Sequence, residues 1–233
     1  MTSIRTALML LWVAACGGDI TGSTTNGTRV VFDLRSLLGA QAQPGDFASV
    51  VASGTLTIAS GGQQTTLTQA LADNEPVVTF NVAVKSGAAN FTMEVASNNQ
   101  TVLYRGQASA TIENDGFMVP ITLQPVGAPV MVLARRVPVA FTSDSVQVEV
   151  RNRGSATLTW FVDSLASQNV VSCHPHSVPT SSCLGPASSA LTAGVVDTAS
   201  IQFQIAAGQP RPTSRAVVFG SGVGTATVNV TIP

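Results

Sequence analysis

Thr225-Ala226-Thr227-Val228-Asn229-Val230-Thr231-Ile232 decides the fold. Ala226, Val228, Val230 and Ile232 occupy one parity of this stretch, and Thr225, Thr227, Asn229 and Thr231 occupy the other. Side chains of a β-strand point alternately to its two faces, so the pattern predicts a strand with one face buried and one face wet. Val and Thr suit that role because branching at Cβ stiffens χ1 and packs well on a pleated surface.

The same alternation recurs upstream. Val146, Val148 and Val150 form one set, and Ala156, Leu158, Trp160 and Val162 form the next. Ile201, Phe203 and Ile205 follow. About seven strands fit between Gly127 and the end of the chain. Nearer the N-terminus, Leu56 and Ile58 alternate with threonines. Val78, Phe80, Val82 and Val84 form a longer set, as do Phe91, Met93 and Val95. Ala108, Ala110 and Ile112 come next, then Val119, Ile121 and Leu123. Breaks at Gly61-Gly62, Ser86-Gly87, Asn98-Asn99 and Asn114-Asp115-Gly116 are turn signals, because these residues tolerate positive φ. Leu34 to Ala42 reads equally as a helical turn or a loop. Short strands at such spacing predict sandwiches. Gln124-Pro125-Val126-Gly127-Ala128-Pro129 separates the two alternating regions. The expectation is an all-β chain with two tandem β-sandwich domains, 29–126 and 127–233.

Composition points the same way. Charged residues make up 10% of the 233, and the net charge is −1. A typical soluble protein carries roughly 25% charged residues. No overall electrostatic attraction to nucleic acid follows from this balance, so no nucleic-acid partner is expected.

The N-terminus reads differently. Arg5 precedes the apolar run Ala7-Leu8-Met9-Leu10-Leu11-Trp12-Val13-Ala14-Ala15, which ends in small residues before Cys16. A basic start, a short apolar core and small residues before a cleavage point make a secretory signal. The run is shorter than the roughly 20 residues needed to cross a bilayer. Residues 1–15 are therefore expected to be a signal peptide. Ile20 to Thr28 is rich in Gly, Ser, Thr and Asn, so 16–28 is expected to be a flexible tether. Val13-Ala14-Ala15-Cys16 resembles the lipobox of bacterial lipoproteins. The resemblance implies cleavage before Cys16, acylation of that residue and anchorage to membrane lipid in the cell envelope. Gly17, with no aspartate next to the cysteine, resembles the pattern of outer-membrane lipoproteins. Several acyl chains on one residue give stable anchoring, because each buried methylene contributes about 0.8 kcal/mol.

Val148-Glu149-Val150-Arg151-Asn152-Arg153-Gly154-Ser155-Ala156-Thr157-Leu158-Thr159-Trp160 resembles the hairpin of bacterial immunoglobulin-like modules of the BACON type. Ser221 to Val230 resembles the ending of those modules. The stretch Cys173 to Pro186 departs from their pattern as an insertion. The first domain resembles, more distantly, prealbumin-like or immunoglobulin-like domains, through Val82-Ala83-Val84-Lys85-Ser86-Gly87 and Leu103-Tyr104-Arg105-Gly106. These motifs are turns and core positions, so they imply fold rather than activity.

The densest chemistry is Cys173-His174-Pro175-His176 with Cys183 further on. In an exported chain an even pair of cysteines is by default a disulfide. A zinc site made of the two cysteines and two histidines is the alternative, at a spacing unlike the common fingers. Asp73-Asn74-Glu75 and Glu113-Asn114-Asp115 read as turns, or as weak calcium ligands if folding brought them together. Gly220-Ser221-Gly222-Val223-Gly224 leads into a strand instead of a helix, so it reads as a hairpin turn rather than a phosphate loop. Trp160 falls on the apolar parity of its strand, which predicts core packing rather than sugar stacking. Arg135-Arg136 reads as a solvated pair or a weak headgroup contact. With no catalytic residues, metal or cofactor singled out, the expected role is a structural, adhesive or partner-docking lipoprotein. A glycan- or ligand-binding module is the alternative, and a hydrolytic enzyme the third.

Overall fold

The computed structural model describes residues 26–33, 47–71, 77–113, 118–136, 145–204 and 214–231. These residues contain no helix and form four sheets, packed as sandwiches. In the first sandwich, one sheet holds β1 (Asn26–Asp33) between β5 (Val77–Val84) and β8 (Met118–Pro120). The second sheet of that sandwich has five strands. Its order is β4 (Gln63–Ala70), β3 (Val51–Ser60), β6 (Gly87–Ser97), β7 (Val102–Ile112) and β9 (Gln124–Pro125). All its pairs are antiparallel; β1 and β8 run parallel.

The predicted inward faces form the core. Val78, Phe80, Val82 and Val84 from one sheet are buried, as are Leu56, Ile58, Phe91, Met93 and Val95 from the other. The strand β1 begins at Asn26, inside the stretch expected to be tether, and Thr28 is buried in it. Leu34 to Ala42, Asn114 to Gly116, Ile205 and Ile232 lie outside the described residues.

The second sandwich has a five-stranded and a four-stranded sheet. The first runs β13 (Val170–Pro175), β15 (Val196–Phe203), β11 (Ser145–Asn152), β10 (Met131–Arg136) and β2 (Phe47–Ser49). The other runs β14 (Ser189–Leu191), β12 (Leu158–Val162), β16 (Ser214–Ser221) and β17 (Gly224–Thr231). Trp160 and Phe219 meet at its centre with ring centroids 6.0 Å apart, and both are fully buried.

The two sandwiches share a strand path. β2 precedes the Pro125–Pro129 stretch in sequence, yet it pairs with β10, which follows that stretch. After one bend at Val50, whose N–H donates to Met131 O at 3.2 Å, the chain continues as β3 in the first sandwich. The junction is tied at two further points. The Tyr104 hydroxyl donates to Arg153 O at 3.1 Å. The Asn98 side-chain amide donates to Thr225 O at 2.9 Å and accepts from Thr225 N at 3.2 Å.

Asn152 organises the turn beside this junction. Its Oδ1 accepts from Val130 N at 3.3 Å and Gly154 N at 3.1 Å, while Nδ2 donates to Ala156 O at 2.8 Å and Leu191 O at 3.0 Å. All of its side-chain hydrogen-bonding capacity is used, as a wholly buried amide requires. Gly154 follows because a Cβ there would overlap the Ala128 carbonyl oxygen.

Candidate functional site

Two places concentrate polar or accessible groups: an open cleft in the first sandwich and the cystine loop of the second. The cleft arises from a mismatch of sheet widths. Gly61 and Gly62, with φ of 57° and 77°, form the two-residue turn that joins β3 to β4. Ser60 pairs with Gln63, Ile58 with Thr65 and Leu56 with Leu67, so these residues share one face of the sheet. Leu56 and Ile58 are buried on that face, whereas Gln63 and Thr65 are exposed and Leu67 is half-buried. The opposing sheet ends at β5, so β4 overhangs it.

The space beneath the overhang is a cleft of about 240 Å³. Ile58 and Leu67 line it from one sheet and Val82 and Val84 from the other; Gln63, Thr65 and Lys85 also line it. Lys85 is the ionisable side chain among the lining residues, and its stem lies beside Gly61. Chemically this is a small amphipathic slot bounded by two sheet edges. Sequence reading found the Gly61-Gly62 turn but missed β4 and the cleft, because Gln63-Gln64-Thr65-Thr66-Leu67-Thr68-Gln69-Ala70 carries no apolar alternation.

The cystine loop is tightly held. Cys173 and Cys183 form a disulfide with Cα atoms 5.1 Å apart, within the ordinary range. Both cysteines are buried. Cys183 N donates to Cys173 O at 2.9 Å, and Val162 N donates to Cys183 O at 2.7 Å, so the loop is stitched to β12. Asp197 is buried and accepts from Ser177 N at 3.0 Å, from the Ser177 hydroxyl and from Thr198 N at 2.7 Å. His174 and His176 are exposed, and His174 Nδ1 sits 2.9 Å from Ser181 O. Zinc would need both sulfurs as thiolates, and here they are bonded to each other. Among the described residues no group of three His, Cys, Asp or Glu side chains converges to hold a metal ion.

The other sequence candidates fall as follows. Cys16, Asp73-Asn74-Glu75, Asn114 and Asp115 lie outside the described residues. Glu113 is exposed at the end of β7. Gly220 to Gly224 makes the β16–β17 hairpin turn, as its sequence predicts. Trp160 is in the core, also as predicted. Arg135 and Arg136 end β10. Tyr104 is buried, and its phenol is pushed up to about 12 by that burial, with the nearby Arg153 charge acting in the opposite direction. No helix among the described residues is long and apolar enough to cross a membrane. No protein-family model matches this sequence, and comparison with curated proteins returns no match.

Proposed function

We propose that this chain is a lipid-anchored protein of the bacterial cell envelope with a structural, adhesive or partner-docking role. The observation that carries the reading is the order Arg5, apolar residues 7–15 and Cys16 at the start of the sequence. In this reading residues 1–15 are a signal peptide, Cys16 carries the lipid, and the outer membrane is the destination. The fold adds support of a different kind. β1 starts at Asn26, ten residues after Cys16 in the sequence. The sandwiches are tied together through β2, Tyr104 and Asn98, which suits a part that holds or presents a surface. Its immunoglobulin-like character belongs to the same proposal.

A ligand-binding module is the second reading, favoured by the cleft between β4 and β5. Trp160 and Tyr104, the side chains best suited to stacking on a sugar, are committed to the interior, which weighs against a glycan.

The test is intact mass spectrometry of the membrane fraction from cells making the wild type or Cys16→Ser. The expected result is a chain starting at residue 16 with added acyl mass, lost in the variant. A chain that retains residues 1–15, or is cut elsewhere without acylation, overturns the proposal.

A further inference from the structure

We propose that β4 is the docking edge for a second copy of this chain, which joins two five-stranded sheets into one continuous sheet. Among the described residues β4 pairs only with β3, and almost all of it is exposed on both faces. Edge strands are usually blunted by charge, proline or shortness. β4 has eight residues and none of these devices: Gln63-Gln64-Thr65-Thr66-Leu67-Thr68-Gln69-Ala70. A neutral edge can face its own copy without like-charge repulsion, which costs a charged strand this option.

The hydrogen-bond parity selects a register. The two-residue turn makes Ser60 and Gln63 a hydrogen-bonded pair, so the N–H and C=O groups of Gln64, Thr66, Thr68 and Ala70 point away from β3. A two-fold axis through Leu67, perpendicular to the sheet, places Thr66 opposite Thr68 of the second copy and Gln64 opposite Ala70. All of those outward groups then find partners. Leu67 meets itself on the inward face, where it is half-buried at the cleft. The threonine pairs repeat chemistry that the sheet already uses, because Thr55 and Thr68 hydroxyls lie 3.0 Å apart across β3 and β4. The axis keeps the inward faces on one side, so the two clefts open toward each other.

Two other outer strands are as long and uncharged: β5, which keeps Val78, Phe80, Val82 and Val84 in the core, and β17, whose free edge is already blocked. Gly222 and Val223 turn β16 into β17, and the outward N–H and C=O of Thr225 are both bonded to the Asn98 side-chain amide. That amide stands where a pairing strand would begin.

Two measurements on the full chain, purified in mild detergent, test the proposal. Sedimentation is expected to give twice the chain mass at micromolar concentration. Thr66→Lys with Thr68→Lys sets like charges opposite each other and is expected to raise the dissociation constant at least about tenfold. Thr66→Lys with Thr68→Glu sets opposite charges across the same pairs and is expected to restore association. In the same preparation under mild oxidation, Leu67→Cys is expected to give a covalent dimer, because facing residues in a non-hydrogen-bonded pair lie about 4.5 Å apart at Cα. Gln107→Cys, exposed on β7, which is flanked by β6 and β9, is the control and is expected to give none. A single-chain mass, association unaffected by the paired lysines, or equal cross-linking at both cysteines overturns the proposal.

Discussion

The outer strands β4 and β17 have the same length and no charge, yet they end their sheets in opposite ways. β17 alternates; Ala226, Val228 and Val230 are buried against the opposing sheet, and Asn98 caps the start of its free edge. β4 is polar on both faces and overhangs its partner sheet. The difference teaches where stability and availability reside. A strand that buries one face is held by apolar contact, whereas β4 is held by its ladder to β3, the half-buried Leu67 and threonine pairs. Segments with few buried contacts supply the low-stability, interacting parts of proteins.

The largest expected effect strengthens that contrast. Trp160→Ala removes the largest fully buried side chain, beside Phe219, and is expected to lose about 3–5 kcal/mol, as large-to-small core substitutions of aromatics do. Leu67→Ala on the overhanging strand is expected to lose well under half of that, since the side chain is only half-buried. Chemical denaturation of the two variants checks the order; equal losses would mean that β4 is as integral as β12.

Next comes the cystine. Replacing Cys173 and Cys183 by serine together opens a closed loop with a sequence separation of 10 and is expected to cost about 2–3 kcal/mol in the chain-entropy model. The loss is expected to appear as a lower unfolding midpoint, and reduction of the wild type is expected to match it.

Tyr104 probes the junction between the sandwiches. Its folded phenol titrates at about 12, above the ordinary value of 10.0, because burial disfavours the anion. The native state therefore keeps its proton where the unfolded chain has lost it. Stability is expected to be full below pH 10 and to fall as pH rises toward 12, by roughly 2 kcal/mol if the junction stays closed. Tyr104→Phe removes this alkaline loss. The chain has one tyrosine, so ultraviolet absorbance reads its ionisation directly. Titration near 10 would show that the junction admits water.

The sequence made the fold legible wherever one face of a strand is buried. Val146 to Val150, Leu158 to Val162 and Ala226 to Val230 read correctly because burial imposes a period of two. The turn at Asn152-Arg153-Gly154 was visible, but its role as a buried amide hub was not, since the partners Val130 and Leu191 are distant in sequence. The same limit hid β2, which is only three residues long and pairs across the Pro125–Pro129 stretch. The disulfide was legible by counting cysteines. The cleft was not, because an overhanging strand needs no hydrophobic parity and leaves none to read.

Asn98→Ala converts the capped edge toward the open one. Three hydrogen bonds to Thr225, two given and one accepted, are lost at an exposed site, so the expected cost is only about 1 kcal/mol. The more telling outcome is expected in association: Thr225 regains free edge groups, and the variant self-associates through β17 as well as β4. Light scattering against concentration reads that change; no change would mean that the capped edge was closed by more than Asn98.

The smallest effect tests what holds β4 itself. Thr55 and Thr68 lie opposite each other, and so do Thr57 and Thr66, with hydroxyls 3.0 and 3.4 Å apart. Cross-strand pairs of this kind contribute roughly 0.2–1 kcal/mol. A double-mutant cycle with Thr55→Val and Thr68→Val is expected to give a coupling in that range, while the Thr57–Thr66 cycle gives less because its contact is longer. The second pair lies nearer the middle of β4, and both lie on the face away from the cleft. A zero coupling for both would leave the main-chain ladder and Leu67 as all that fixes β4, and a strand so weakly fixed would gain more from a second copy than the contacts within one chain provide.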